Sequence, residues 1–191
     1  MRTTTKIDRR IVKTKEAINK AFLELFSEKD FQHLTINDIS ERANVNRGTV
    51  YLHYTDKYDL LDKCIEDHLN QLIAFCSLDE NNPGNTTLNS DLTPIFIYFE
   101  GNFTFFSSLF AHQRTFVFRE RLLAFITLNV KKKLEMQNLD SKIDHELNAH
   151  FMASAFVGIV EWWIQHAMPH PPSFMADQLR RLFEKNDIYA E

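Results

Sequence analysis

The chain has 191 residues, of which 44% are hydrophobic and 25% charged, with only four Gly and five Pro. That composition belongs to a globular, mainly helical protein and excludes a disordered one. The net charge of -4 hides a polarity along the chain: residues 1–20 hold seven Lys/Arg against two Asp/Glu, and residues 61–191 hold eleven against seventeen. An anionic partner is therefore attracted to the N-terminal end.

The opening MRTTTKIDRR has no apolar run, so no signal peptide is expected, and no stretch is long and apolar enough to span a membrane. Cys64 and Cys76 lack CxxC spacing and sit in apolar helical contexts, which suits reduced thiols and a cytoplasmic location.

Residues 10–28 predict a first helix, with Ala17, Ile18, Ala21, Phe22, Leu25 and Phe26 on one stripe. Thr35 opens TINDISERA with Asp38 three residues on, a capping-box start for a short second helix. After the NVN turn, Asn46 suits the N-cap of a third helix ending near Leu52 or His53. Thr55 is the expected cap of a longer fourth helix. Asp56 favours its positive end, and Leu61, Cys64, Ile65, His68, Leu69 and Leu72 form its inner stripe. Residues 77–91 are polar, contain Pro-Gly, and predict a linker. Beyond it the patterns are all helical: Phe-rich 92–111, then 114–137, 142–168 and 173–185. The expected class is all-α, with eight or nine helices and no sheet.

Two short helices joined by a tight turn form a helix-turn-helix, whose second helix enters the major groove of DNA. At 100° per residue, Val50 and Tyr54 share the inner side of the third helix, and Gly48, Thr49 and Leu52 point outward. Gly48 gives up about 1 kcal/mol of helix propensity relative to Ala, which makes sense where the backbone must come close to a ligand. An outward Leu52 suits a thymine methyl, Arg47 a guanine or phosphate, and Thr49 a base edge. Tyr51, His53 and Lys57 carry donors for phosphate oxygens, and the N-terminus of the fourth helix adds its dipole.

LTINDISERANVNRGTVYLHYTDKYDLL, residues 34–61, resembles the DNA-binding domain of TetR-family transcriptional regulators. The resemblance rests on the Thr35 opening, Ile36-x-x-Ile39-x-x-x-Ala43, Gly48, Tyr51, Tyr54, Lys57 and the Leu60-Leu61 pair. It implies an all-helical homodimer on a palindromic double-stranded operator. A DNA-binding domain would occupy residues 1–57, and a helical dimerisation and effector-binding domain 58–191. The family positions matching Thr35, Asn46, Arg47, Thr49, Tyr51, His53 and Lys57 contact DNA. The family often has a large aromatic residue at Leu52, so that position is expected to tune sequence preference. Residues 158–183, GIVEWWIQHAMPHPPSFMADQLRRLF, are similar to the C-terminal end of a TetR subgroup that includes dihydroxyacetone-kinase operon regulators. That likeness implies no ligand.

The Phe cluster leaves two readings open. Phe99, Phe103, Phe106, Phe110, Phe118 and Phe125 either fill a core or line a pocket for a small apolar or aromatic ligand. Phe151, Met152, Ala155, Ile159, Trp162 and Trp163, with Leu179, Leu182 and Phe183, form stripes wide enough for a four-helix dimer interface. Adjacent Trp162 and Trp163 cannot face the same way, so one is expected in the core and the other at a partner. His145, His150, His166 and His170 come with no Cys or carboxylate set, so no metal and no cofactor is expected. Lys131–Lys133 is read as a solvated helix end. No P-loop, GxSxG or HExxH occurs, so an enzyme is not expected. The function expected is a DNA-binding regulator, a repressor released by an apolar ligand. The alternative is a ligand-independent regulator, or an activator, acting with a protein coregulator.

Overall fold

A computed structural model of the chain describes residues 9–77, 91–111, 115–136 and 144–185. Among the described residues there are nine α-helices, one 3₁₀ turn and no strand. They fall into two compact units, one ending at Asp67 and the other beginning at His68. This division falls within a continuous helix, whose first turns bury Leu60, Leu61, Cys64 and Ile65.

The N-terminal unit contains α1 (Arg9–Glu28), a 3₁₀ turn (Phe31–His33), α2 (Ile36–Arg42), α3 (Arg47–Tyr51) and the start of α4 (Lys57–Ser77). Ile18, Ala21, Phe22, Leu25 and Phe26 are buried on α1, because their spacing of three and four puts them on one face. Phe22 stacks on Phe26 at 5.4 Å, and Phe31 meets Phe26 edge-on at 5.8 Å. Rings at this separation contribute about 0.5–1.5 kcal/mol per pair beyond their area. Arg42 on α2 reaches back to α1, 2.8 Å from Glu28 and 3.3 Å from Glu24. The Arg42 guanidinium beside it holds the Glu28 carboxyl below its usual range.

The helix ends are built from side chains. Thr35 Oγ1 accepts from Asp38 N–H and the Asp38 carboxylate accepts from Thr35 N–H, completing the expected capping box. At the start of α4 the cap is Asp56 rather than Thr55. Its Oδ1 accepts from Tyr58 and Asp59 N–H, both at 2.8 Å, and Thr55 N–H instead donates to Asp59. A carboxylate holds two amides at a positive helix end better than a single hydroxyl does.

The C-terminal unit continues α4 and adds α5 (Thr93–Gly101), α6 (Phe103–Ala111), α7 (Thr115–Met136), α8 (His145–Gln165) and α9 (Pro172–Lys185). The Phe-rich stretch is two helices, broken at Asn102, whose side-chain amide donates to the Tyr98 carbonyl. Helices α7 and α8 pack along each other, with Arg119 at 3.7 Å from Glu161 and Lys131 at 3.1 Å from Glu146, which makes the pair antiparallel. Most of the linker expected over 77–91 and the side chain of Cys76 lie outside the described residues, whereas Cys64 is a buried free thiol. None of the helices is long and apolar enough to cross a membrane, among the described residues.

Candidate DNA-reading surface

The turn between α2 and α3 sets the pose of the outer helix. Asn44 has a φ of 52°. Its N–H donates to the Glu41 carbonyl and Val45 N–H to the Ser40 carbonyl, which closes α2 with two reverse bonds. Asn46 then caps α3, its side-chain oxygen 2.8 Å from Gly48 N–H. Val50 and Tyr54 anchor the inner side: both are buried, and the Tyr54 hydroxyl donates to Asn19 of α1 at 2.8 Å. Burial pushes the Tyr54 phenol up to about 12, so it stays a donor.

The outer side carries Arg47, Gly48, Tyr51 and Leu52, all exposed, with Thr49 and His53 half-buried beside them. Leu52 is 80% exposed. Gly48 has no positive φ, and a Cβ added there would meet only Asn46 Oδ1, at 3.4 Å. Nothing in the described backbone or packing of the unit requires a glycine at this position. Arg47 Nη2 donates to the Tyr51 hydroxyl at 3.1 Å, and the guanidinium lies 5.4 Å from the Tyr51 ring centre. The Arg47 head is thereby held on the outer face.

Two residues expected to contact DNA make hydrogen bonds within the unit. Lys57 Nζ donates to the Phe31 carbonyl at 2.8 Å and to the Gln32 carbonyl at 2.9 Å, and sits 4.9 Å from the Phe31 ring centre. Thr35 Oγ1 donates to Asp38 while accepting from its N–H, so it is committed to the capping box. The α4 dipole is also partly spent, since Asp56 occupies the amides of Tyr58 and Asp59. The bonds from Thr35 and Lys29 keep Asp38 below its ordinary range, and those from Thr55 and Lys63 do the same for Asp59.

In the C-terminal unit, Phe99, Phe106 and Phe118 are fully buried and touch one another: Phe99–Phe106 at 4.7 Å and Phe106–Phe118 at 5.5 Å, with Phe110 at 6.0 Å from Phe118. Phe103 and Phe125 are half-buried. A depression of about 560 Å³ does exist, but it is lined by Phe75, Pro94, Ile97 and Tyr98 rather than by the six rings of the expected pocket.

The expected dimer stripe divides. Phe151, Trp162 and Leu182 are exposed and Ala155 and Ile159 half-buried, while Met152, Trp163, Leu179 and Phe183 are buried within the protomer. Trp163 is 0% exposed, edge-on to Phe96 at 5.3 Å, with its indole N–H donating to the His170 carbonyl. Period 3.6 rotates successive residues by 100°, so a stripe read as one face covers an inner and an outer row. Leu147, not singled out from the sequence, and Phe174 are also exposed. No group of three His, Cys, Asp or Glu able to hold a metal occurs among the described residues.

Residues 18–64 match the family model for bacterial regulatory proteins of the tetR family, and residues 86–185 match that of a transcriptional regulator C-terminal region. The chain belongs to the TetR family. It is 28% identical over 184 residues to the HTH-type transcriptional regulator YxbF of Bacillus subtilis, covering 93% of this chain and 46% of that relative. The chain thus spans about half the length of that curated relative. The biofilm operon icaADBC negative transcriptional regulator IcaR of Staphylococcus epidermidis is 34% identical over 61 residues, 32% of this chain and 33% of IcaR. Among solved structures, a TetR-family regulator from Syntrophomonas wolfei has a TM-score of 0.75 at 20% identity, covering 93% of this chain and 96% of its own. The dihydroxyacetone kinase operon activator DhaS has a TM-score of 0.66 at 19% identity, covering 91% and 95%. Both structures share the TetR fold.

Lys63 escaped the sequence reading although it is part of this TetR head. Its ammonium donates to the His53 carbonyl and to Asp59, each at 3.0 Å, and lies 4.9 Å from the Tyr54 ring centre. The Asp59–Lys63 spacing of i,i+4 was a signal for the ion pair. The carbonyl partner, a main-chain atom, leaves no mark in side-chain patterns.

Proposed function

We propose that the chain is a transcriptional regulator that binds a palindromic double-stranded operator as a homodimer, with α3 in the major groove. Arg47, Thr49 and Leu52 read base edges and methyl groups, while Tyr51 and His53 hold phosphates. The observation that carries this reading is the outer face of α3, where an 80% exposed Leu52 stands near an exposed glycine. Pairing through the outer row of α8 and α9 supplies the second head, and two heads on a two-fold axis require a two-fold operator. Repression is the sign we propose, from the negative regulator IcaR, whose match covers this same head. A selection from random duplexes tests the reading: an enriched palindrome is expected, and recovery of no enriched duplex overturns it.

For control, the mutual packing of Phe99, Phe106 and Phe118 favours a regulator that takes no ligand among these rings. A protein coregulator then supplies the signal. Titration of an apolar aromatic probe, 8-anilinonaphthalene-1-sulfonate, checks this. Saturable binding that releases the selected duplex would restore the small-ligand reading.

A further inference from the structure

Arg47 and Tyr51 open and close α3, at the i,i+4 spacing that brings side chains together on a helix surface. Arg47 Nη2 donates to the Tyr51 hydroxyl at 3.1 Å, and the guanidinium lies 5.4 Å from the ring centre. Helix stability does not ask for this arginine. It is the first residue of α3, where a cation opposes the helix dipole, and the first turn holds no carboxylate to offset it. Both side chains are exposed, so the contact does not hold the unit together. It also leaves both partners with capacity to spare. A guanidinium is rich in N–H donors, and one bond to Tyr51 leaves enough for the bidentate grip on guanine. A phenol that accepts a bond keeps its own O–H to give, and among the described residues that proton has no acceptor. The charged donor draws electron density from the phenol, which strengthens the bond that the O–H gives.

Resting on the proposed DNA reading, we infer that Arg47 and Tyr51 act as one unit, in which the Tyr51 hydroxyl accepts from Arg47 while it donates to a phosphate oxygen. The hold on the backbone then fixes the guanidinium that reads the base. Tyr51 is a phosphate ligand and also the positioning residue that sets specificity at the base pair facing Arg47. A long side chain that is free in solution loses rotamer freedom when it reaches a base edge. Here the arginine is ordered before DNA arrives. A phosphate ligand with no such link strengthens binding to every sequence alike.

The test uses the full chain with Tyr51→Phe, which removes the hydroxyl and keeps the ring, with Arg47→Ala, and with both. On the duplex selected with the wild type, Tyr51→Phe should bind about tenfold more weakly. On a non-selected duplex, where Arg47 meets no matching base, its loss should be about twofold. The double variant should bind the selected duplex about fivefold better than the product of the two single losses gives. A fresh selection with Tyr51→Phe should loosen the same base pair that Arg47→Ala loosens and keep the rest of the palindrome. Without DNA, the Arg47 guanidinium signals in an NMR spectrum should move in Tyr51→Phe, and their rotation should quicken. Equal losses on both duplexes, multiplicative losses in the double variant and an unchanged base preference would leave Tyr51 a phosphate ligand alone and overturn the inference. Guanidinium signals identical in wild type and Tyr51→Phe would overturn it too. Because the NMR arm needs no DNA, a wild type that selects no duplex would count against the operator reading, and the link between the two side chains would still be judged.

Discussion

At Gly48 the demands of folding and of DNA reading oppose each other. Alanine there would regain up to about 1 kcal/mol of helix propensity, and its Cβ would meet only Asn46 Oδ1 at 3.4 Å. Gly48→Ala is expected to raise the melting temperature of the N-terminal unit slightly while weakening operator binding about tenfold or more. Thermal melts and titrations on one preparation check both signs, and a gain in both would mean that close approach to DNA is not what requires the glycine. His68 is a second residue in tension with its setting. It is buried, hydrogen-bonded through Nδ1 to the Tyr98 hydroxyl and stacked on Phe105 at 4.1 Å, and burial pushes its imidazole down to about 4. Above pH 6.5 neither the folded nor the unfolded chain is charged at this site. As pH falls from about 6.5 to about 4 only the unfolded chain takes the proton, so this part of the stability is lost across that window. Urea melts at pH 7 and pH 5 should show the loss, and His68→Phe should flatten it.

Among the elements, two helices end in left-handed turns whose energetics can be stated with a sign. Asn44 closes α2 with φ 52°, and Ala167 and Met168 follow α8 with φ 56° and 53°. Met168 N–H donates to the Trp163 carbonyl at 2.8 Å, the same closing bond that Val45 makes to Ser40. Asn tolerates this backbone and β-branched or bulky residues do not, so Asn44→Val should cost about 1–2 kcal/mol. Ala167→Gly should stabilise the chain by up to about 1 kcal/mol. Chemical denaturation of both variants checks the pair of opposite signs. These elements also show what could be read in advance. Thr35, Asn46 and the inner stripe of α1 were legible because caps and periodicity are local. The carbonyl bonds of Lys57 were not, since they depend on backbone atoms distant in sequence, and at α4 two adjacent cap candidates, Thr55 and Asp56, competed within one turn. On the candidate surface, the wheel sorted Val50 and Tyr54 from Leu52 correctly. On α8 it merged an inner and an outer row, because sequence spacing does not say which neighbour takes which side.

For the molecule as a whole, the outer row of α8 is the feature that asks for a second copy. Leu147, Phe151 and Trp162 are large apolar side chains left exposed on one helix, with half-buried Ala155 and Ile159 between them. Stable dimers of this kind bury roughly 2,000 Å² or more in total, beyond what one or two side chains supply. Phe151 and Trp162 are 53% and 43% exposed, so charge there should spare the fold of the protomer. Phe151→Glu with Trp162→Glu is expected to yield folded monomers in sedimentation, with operator affinity falling steeply because the second head is lost. Dimers that survive this double change would place the two-fold contact elsewhere.

The neighbouring tryptophans have an optical consequence. Trp163 is sealed against Phe96 and bonded to the His170 carbonyl, while the Trp162 ring stands in solvent, 5.0 Å from the His166 imidazole. These are the two indoles of the chain. Emission should therefore contain a blue, quencher-resistant component from Trp163 and a red, quenchable one from Trp162. If Trp162 is covered when two protomers meet, the red component alone shifts on association. The protein would then report its own assembly through light, with no label attached.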